Sequence, residues 1–296
     1  MANNLRKFDN EESYNAATLV RPAVSWIVDT NTVKFDPIIP TPPSDSKWKA
    51  TYFDSTVESA QCDSTSAITK GDVTVENIAS FEIGDCVTSI GDELFYIDPD
   101  KAPLTSVTFG NNVTSIGHDA FTNCTGLTEV VLPDSVTSIG GAAFMFCTSL
   151  TNINIPSGVT TIEWTTFSSC SSLTNIDIPD SVTSIGNNAF SFCSNLRSIN
   201  IPSGVTSIGN GAFYYCSSLT NIEIPNGVTT IGIEAFNGCS SLASITVEAV
   251  TPPTLSPYYV FNNTNNCPIY VPSESVDAYK AATNWKNYAS RIQAIP

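Results

Sequence analysis

Val136-Thr-Ser-Ile139-Gly-Gly-Ala-Ala-Phe144-Met-Phe-Cys147-Thr-Ser-Leu150-Thr-Asn-Ile153-Asn-Ile155-Pro156 is one turn of a repeating unit. The tetrad Val-Thr-x-Ile starts at Val113, Val136, Val159, Val182, Val205 and Val228, and every step is 23 residues. Eight residues after each Val stands a Phe: Phe121, Phe144, Phe167, Phe190, Phe213 and Phe236. Three further on comes a Cys (124, 147, 170, 193, 216, 239), and three after that a Leu (127, 150, 173, 196, 219, 242) that opens an L-x-x-I-x-I strand pattern. One such unit cannot bury its apolar row alone; stacked on a neighbour, each position becomes a column in a continuous core. Pro133, Pro156, Pro179, Pro202 and Pro225 close five of the strands, since proline has no N–H for the ladder. Gly117, Gly140, Gly186, Gly209 and Gly232 follow the tetrad, where a tight turn with positive φ is expected.

The array begins before its regular copies. Val87-Thr-Ser-Ile90 with Phe95 belongs to it, although its step to Val113 is 26, so three residues are inserted near Tyr96–Asp100. Ile78-x-x-Phe81-x-Ile83 fits an earlier strand, so the repeats cover roughly 78–250. The predicted fold is mainly β: a solenoid of 23-residue coils with short strands and helical turns, a small α+β N-terminal piece and a capping C-terminal strand and helix.

The consensus VTSIGxxAFxxCxSLTxIxIP resembles the BspA-like leucine-rich repeat family, the Treponema pallidum type. The resemblance implies a leucine-rich-repeat solenoid and a surface protein of gut or oral bacteria engaged in adhesion. It fixes no particular ligand.

The ends differ from the array. In residues 1–36, Asp9-Asn-Glu-Glu12 reads as a capping box for a short helix over about 10–19, and Val24–Val28 and Val33–Phe35 read as strands. This piece is too small for a core of its own, so it is expected to dock on a partner or oligomerise. It resembles leader segments on structural proteins of phages of gut Bacteroidales. Residues 37–47, with four prolines in seven residues, form a semi-rigid linker, and 48–77 are expected to cap the open start of the solenoid. Residues 251–296 supply the other cap, with a short strand in Pro268-Ile-Tyr-Val271-Pro, a helix capped by Ser273 and running to about Lys280 to Thr283 with Val276 and Tyr279 on one face, and Trp285, Tyr288 and Ile292 continuing the apolar spacing.

Six of the nine cysteines form the 23-residue column, where parallel side chains fit buried thiols better than disulfides. Cys62, Cys86 and Cys267 lie off that column, and a bond among them stays open. Zinc is disfavoured, because no C-x-x-C exists and His118 is the only histidine. His118 occupies a variable slot and reads as a surface residue. No metal or cofactor is expected, since no hydrolase elbow, H-E-x-x-H or phosphate loop occurs.

Two exposed columns remain as candidate ligand sites. One reads Glu129, Asn152, Asn175, Ser198, Asn221, Ser244; its neighbour reads Val131, Asn154, Asp177, Asn200, Glu223, Thr246. They form a polar strip whose amides and hydroxyls either satisfy one another or meet a carbohydrate or polar protein. Asp177 and Glu223, two coils apart, are about 9–10 Å from each other by strand spacing, the separation of an inverting glycosidase pair, so a glycan-active enzyme is the catalytic alternative. The rival face is an aromatic row, Phe146, Phe192 and Tyr215, each preceding a column Cys.

The chain has 296 residues, 12 basic and 28 acidic, for a net charge of −16. Residues 87–250 carry 13 acidic residues against two basic ones, so the solenoid supplies most of the acidity. Nucleic acid and anionic membrane surfaces are disfavoured as partners, and no apolar run is long enough for membrane insertion. The opening residues lack the apolar stretch of a secretory signal. The resulting expectation is a non-enzymatic, surface-displayed binding protein that meets a protein or carbohydrate on a cell surface or mucosa. The first expectation places it on a phage virion, attached through residues 1–36; the alternative is a bacterial cell-surface or secreted adhesin.

Overall fold

A computed structural model describes residues 46–52, 55, 57–62, 67–73, 77–96 and 104–296. The element expected at residues 1–36, most of the linker, and most of the insertion after Tyr96 lie outside the described residues.

Each regular coil contributes two short parallel strands and one hydrogen-bonded turn side. The Ile of Val-Thr-x-Ile ends the first strand. Ala67–Ile68, Ser89–Ile90, Ser115–Ile116 and Ser138–Ile139 form one ladder, and Thr161–Ile162, Ser184–Ile185, Ser207–Ile208, Thr230–Ile231 and Thr254–Leu255 the next. The register is strict, Ile116 opposite Ile139 and Ile185 opposite Ile208, because a 23-residue step returns the same side chain to the same slot. The L-x-x-I pattern supplies the second ladder, from Glu129–Val130 and Asn152–Ile153 to Asn221–Ile224 and Ser244–Val247. Ile68 and Leu255 fill the buried isoleucine slot outside the regular copies, so the first ladder begins before residue 78 and ends after residue 251.

The prolines have a second task. Each carbonyl accepts the N–H of the Val three residues on, as between Val136 and Pro133 at 3.0 Å, which turns the chain from one ladder to the other. Threonines after the Val bind the coil behind: Thr137, Thr183, Thr206 and Thr229 each donate both N–H and hydroxyl to the equivalent carbonyl of the preceding coil.

The core is a set of columns. Phe81, Phe95, Phe121, Phe144, Phe167, Phe190, Phe213, Phe236 and Phe261 run through it, all buried. From Phe95 onward neighbouring rings are stacked with centroids 5.1–5.8 Å apart. Offset stacking of this kind adds about 0.5–1.5 kcal/mol per pair beyond burial. Beside them runs the cysteine column. Each thiol donates to the Phe carbonyl of the preceding coil, from Cys124 to Phe95 at 3.3 Å through Cys239 to Phe213 at 3.1 Å. Cysteine thus fills an apolar slot and satisfies a buried carbonyl at once. Burial pushes these thiols up, to about 12 for Cys193 and Cys239.

Gly117, Gly140, Gly186, Gly209 and Gly232 do not have positive φ, contrary to the sequence expectation. Close approach is what requires glycine: a Cβ on Gly140 would lie 2.6 Å from the His118 nitrogen and 2.7 Å from the Gly117 carbonyl carbon. Left-handed backbone falls instead on two other positions of the turn side. One is two residues before each Phe (Asp119, Ala142, Thr165, Asn188, Gly211, Glu234). The other immediately precedes each Cys (Asn123, Phe146, Ser169, Phe192, Tyr215, Gly238). Both positions send their N–H forward to a carbonyl of the next coil, as Phe146 does to Ser168 at 2.8 Å and Thr165 to Asn187 at 2.9 Å.

The open start of the core is covered by a sheet. Ser46–Tyr52 lies antiparallel between Val57–Gln61 and Ile78–Ile83, and Ser106–Thr108 continues it in parallel. Trp48 stacks on Phe81 at 5.5 Å. Cys62 and Cys86 form a disulfide that ties this cap to the first coil, which resolves the pairing left open by the sequence. Cys267 is a buried free thiol; it takes the Leu slot of its coil, while Thr264 takes the Cys slot.

At the far end Ile269–Val271 and Ile292–Ala294 extend the second ladder. Ser273 does not cap the helix: a 3-10 turn occupies Ser273–Ser275, and the helix runs Val276–Ala281 without a side-chain cap. Tyr279 and Trp285 are fully buried, and their polar ends donate to Ala249 O at 2.7 Å and Pro253 O at 2.8 Å. Arg291 donates to the carbonyls of Cys267 and Phe261 and to the Thr264 hydroxyl, satisfying groups at the solenoid's exposed end.

Candidate binding surface

The polar strip lies where the strand period puts it, on the outer face of the second ladder. Asn152, Asn154, Asn175, Asp177, Asn200, Asn221 and Glu223 are all exposed. Asn152 sits opposite Glu129, and Asn221 opposite Ser244. These neighbours engage each other: Asn152 Nδ2 donates to Glu129 Oε1 at 3.2 Å, and Ser244 Oγ to Asn221 Oδ1 at 3.0 Å. Asn154 is committed to the backbone, accepting from Leu132 N–H at 2.7 Å and donating to Leu132 O at 2.8 Å. It replaces a rung that its two-residue strand does not make.

Asp177 and Glu223 are both exposed on the outer face of the second ladder. Glu223 borders a shallow depression of about 290 Å³ with Asn200, Asp180 and Glu248, and Asp177 is not among its lining residues. Among the described residues no group of three or more His, Cys, Asp or Glu is arranged to hold a metal ion.

The aromatic row lies on the turn side. Phe146, Phe192 and Tyr215 have φ of 59°, 58° and 56°, and the residues are 43%, 48% and 44% exposed. Phe192 and Tyr215 stack at 5.6 Å, and Tyr214 meets both edge-on, at 5.4 Å and 4.6 Å. Phe146 stands apart, with Ser169 at the equivalent position of the intervening coil. Trp164 belongs to a different group: it lies flat over Gly141, where a Cβ would come within 2.3 Å of the indole, and stacks on His118 at 6.0 Å. His118 is exposed, and its Nδ1 accepts the Gly141 N–H at 2.8 Å. Asp92, Asn187 and Asn210 use the same slot in the same way, each accepting an N–H of the next coil.

Beside the aromatic row runs a trough of about 550 Å³ across four coils. Its floor includes Ser168, Ser191 and Gly211, small residues in columns that hold Met145, Tyr214 or Glu234 elsewhere. Phe192 and Tyr214 line it along with Asn188, Asn210, Ile233 and Glu234. Reading the sequence for its period did not find this trough. The only signal was the run of small residues at variable sites, which has meaning only once the columns are laid side by side.

Comparison with known proteins agrees with this architecture. The model of the BspA type leucine rich repeat region matches residues 68–173 and 165–285. A solved leucine-rich repeat protein of Bacteroides ovatus is 22% identical, with 85% of this chain and 70% of that chain covered and a TM-score of 0.57. A leucine-rich repeat protein of T. pallidum is 26% identical (74% and 92% covered, TM-score 0.49). A leucine rich cell surface protein of Faecalibacterium prausnitzii is 29% identical (72% and 63% covered, TM-score 0.46). No curated protein matches.

Proposed function

The chain belongs to the BspA-type leucine-rich repeat family, and on that premise we propose that it is a non-enzymatic binding protein displayed on a surface. The observation that carries this reading is the rigid stacked core, which holds two long lateral faces, the polar strip and the aromatic edge, open to solvent along successive coils. A solenoid of this kind offers a ligand many shallow, repeated contacts rather than one enclosed pocket.

The display site is the surface of a phage particle. Support comes from the distinct composition of residues 1–36, their resemblance to leader segments of phage structural proteins, and the proline-rich linker that sets them off from the solenoid. Residues 1–36 attach, and the solenoid projects toward a protein or carbohydrate of a host cell or mucosa. A bacterial cell surface is the alternative site. Among the described residues no helix is long and apolar enough to cross a membrane. Mass spectrometry of purified virions and of washed bacterial outer membranes tests the placement: recovery with virions is expected, and recovery only with outer membranes refutes it.

A further inference from the structure

We propose that the trough beside the aromatic row is a binding site for a neutral saccharide, with Phe192 and Tyr214 as its apolar wall. The inference rests on the reading of the chain as a binding protein and names the site and ligand class.

The backbone gives the first argument. A left-handed residue that is neither Gly nor Asn is unfavourable by about 1–2 kcal/mol, and bulky side chains are genuine outliers there. Asn123 and Gly238 occupy this position in flanking coils and suit it. Phe146, Phe192 and Tyr215 occupy it while remaining nearly half exposed, so core burial does not offset the cost. The left-handed turn itself belongs to every coil, Ser169 included; what sets Phe192 and Tyr215 apart is a bulky ring kept at the surface where Asn or Gly fits more easily.

The trough gives the second. Ser168 and Ser191 lie on its floor, hydrogen-bonded to each other at 2.9 Å. Thr165 also lines it, and its hydroxyl oxygen is buried without a hydrogen-bond partner among the described residues. Gly211 keeps the floor open: a Cβ there would lie 2.3 Å from Asn188 Oδ1, and its φ is 59°.

The lining chemistry selects the ligand. One side offers aromatic faces, which suit the C–H face of a pyranose. The other offers amides, hydroxyls and one carboxylate, Glu234, whose Oε1 already accepts from Asn237 Nδ2 at 3.2 Å. Burial, with Tyr215 and Glu234 nearby, raises Tyr214 above the usual phenol range. No cation lines the trough, which disfavours sulfated or uronic-acid sugars. A single, partly engaged carboxylate is weak attraction for a cationic peptide.

The test uses the full chain with soluble neutral hexasaccharides of gluco-, manno-, galacto- and xylo-configuration, followed by saturation-transfer NMR and fluorescence titration. Polygalacturonate and decalysine serve as charged comparisons. At least one neutral hexasaccharide is expected to bind. Phe192→Asn and Tyr214→Ala should each weaken it by up to about tenfold, while Asp177→Ala on the strip leaves it unchanged. Phe192→Asn should hold or raise Tm, because Asn accepts the left-handed backbone; a merely structural aromatic would lower it. If Phe192→Asn lowers Tm, Tyr214→Ala decides on the same two readouts. Failure of every neutral saccharide, or unchanged binding in a folded Tyr214→Ala protein, overturns the proposal. Binding of decalysine alone overturns it too, yet leaves the binding-protein reading intact, since surface display is decided separately by fractionation.

Discussion

Removing one whole coil should leave the protein folded, whereas removing half of one should not. Deleting Val182–Gly204 takes out 23 residues and joins Ser181 to Val205. Phe167 then faces Phe213, Ile162 faces Ile208, and the Cys216 thiol meets the Phe167 carbonyl that Cys193 uses now. Every column closes up by one step, so the loss is one coil's share of stability. At roughly 0.05–0.15 kcal/mol per residue this is about 1–3 kcal/mol. Deleting only Val182–Cys193 removes Val182, Ile185, Phe190 and Cys193, all 0–1% exposed, while Leu196 and Ile199 remain and hold the neighbouring coils apart. Three or four buried side chains at about 1.5–3 kcal/mol each give a loss of roughly 5–12 kcal/mol, comparable with the whole stability of a typical domain of about 5–15 kcal/mol. Urea titration followed by circular dichroism separates the two. The whole-coil variant should unfold cooperatively, with a slope reduced only by the 23 of 296 residues removed. Equal unfolding of both variants would refute the column model.

Three further outcomes follow from named contacts. Gly140→Ala should destabilise by about 1–3 kcal/mol, since its Cβ meets backbone of the preceding coil, whereas Gly71→Ala, with nothing within 4 Å, should be nearly silent; paired thermal melts check this. Cys62→Ser should cost about 3 kcal/mol, from reopening a chain loop of 24 residues, and hydrogen exchange should show the loss in Ser46–Tyr52 and Ile78–Ile83 before the central coils. Stability should also fall in alkali. Cys193 and Cys239 are held at about 12 when folded, against about 9 when free, so between these values the unfolded chain has lost protons that the folded one keeps. Each thiol then removes about 1.4 kcal/mol per pH unit as pH rises through that window and nothing below it. Denaturant midpoints from pH 7 to 11 measure the slope, and Cys193→Ala should make it shallower.

The repeat made much of the molecule legible. Positions such as Phe190, Cys193 and Leu196 are buried because the period is 23, and any residue in those columns inherits the burial. The thiols stay free because in-register side chains run parallel, and the polar strip faces outward because strand residues alternate. Where the period lapses, the reading weakens. Ser273 reads as a helix cap, but it opens a 3-10 turn, and the helix starts at Val276 without a side-chain cap, while Trp285 and Tyr279 anchor the segment to Pro253 and Ala249. The five glycines suggest positive φ, but what they avoid is the backbone of the coil behind.

By itself, then, the sequence determined the coil length, the identity of each core column and the outward faces, because stacking identical units turns a one-dimensional period directly into burial. The tertiary structure alone decided what depends on residues that do not repeat. It paired Cys62 with Cys86, set aromatics on left-handed backbone, and opened a trough where Ser168, Ser191 and Gly211 fall side by side. Those juxtapositions arise between neighbouring coils at variable sites, where no period relates one residue to the next, and only the folded stack brings them into contact.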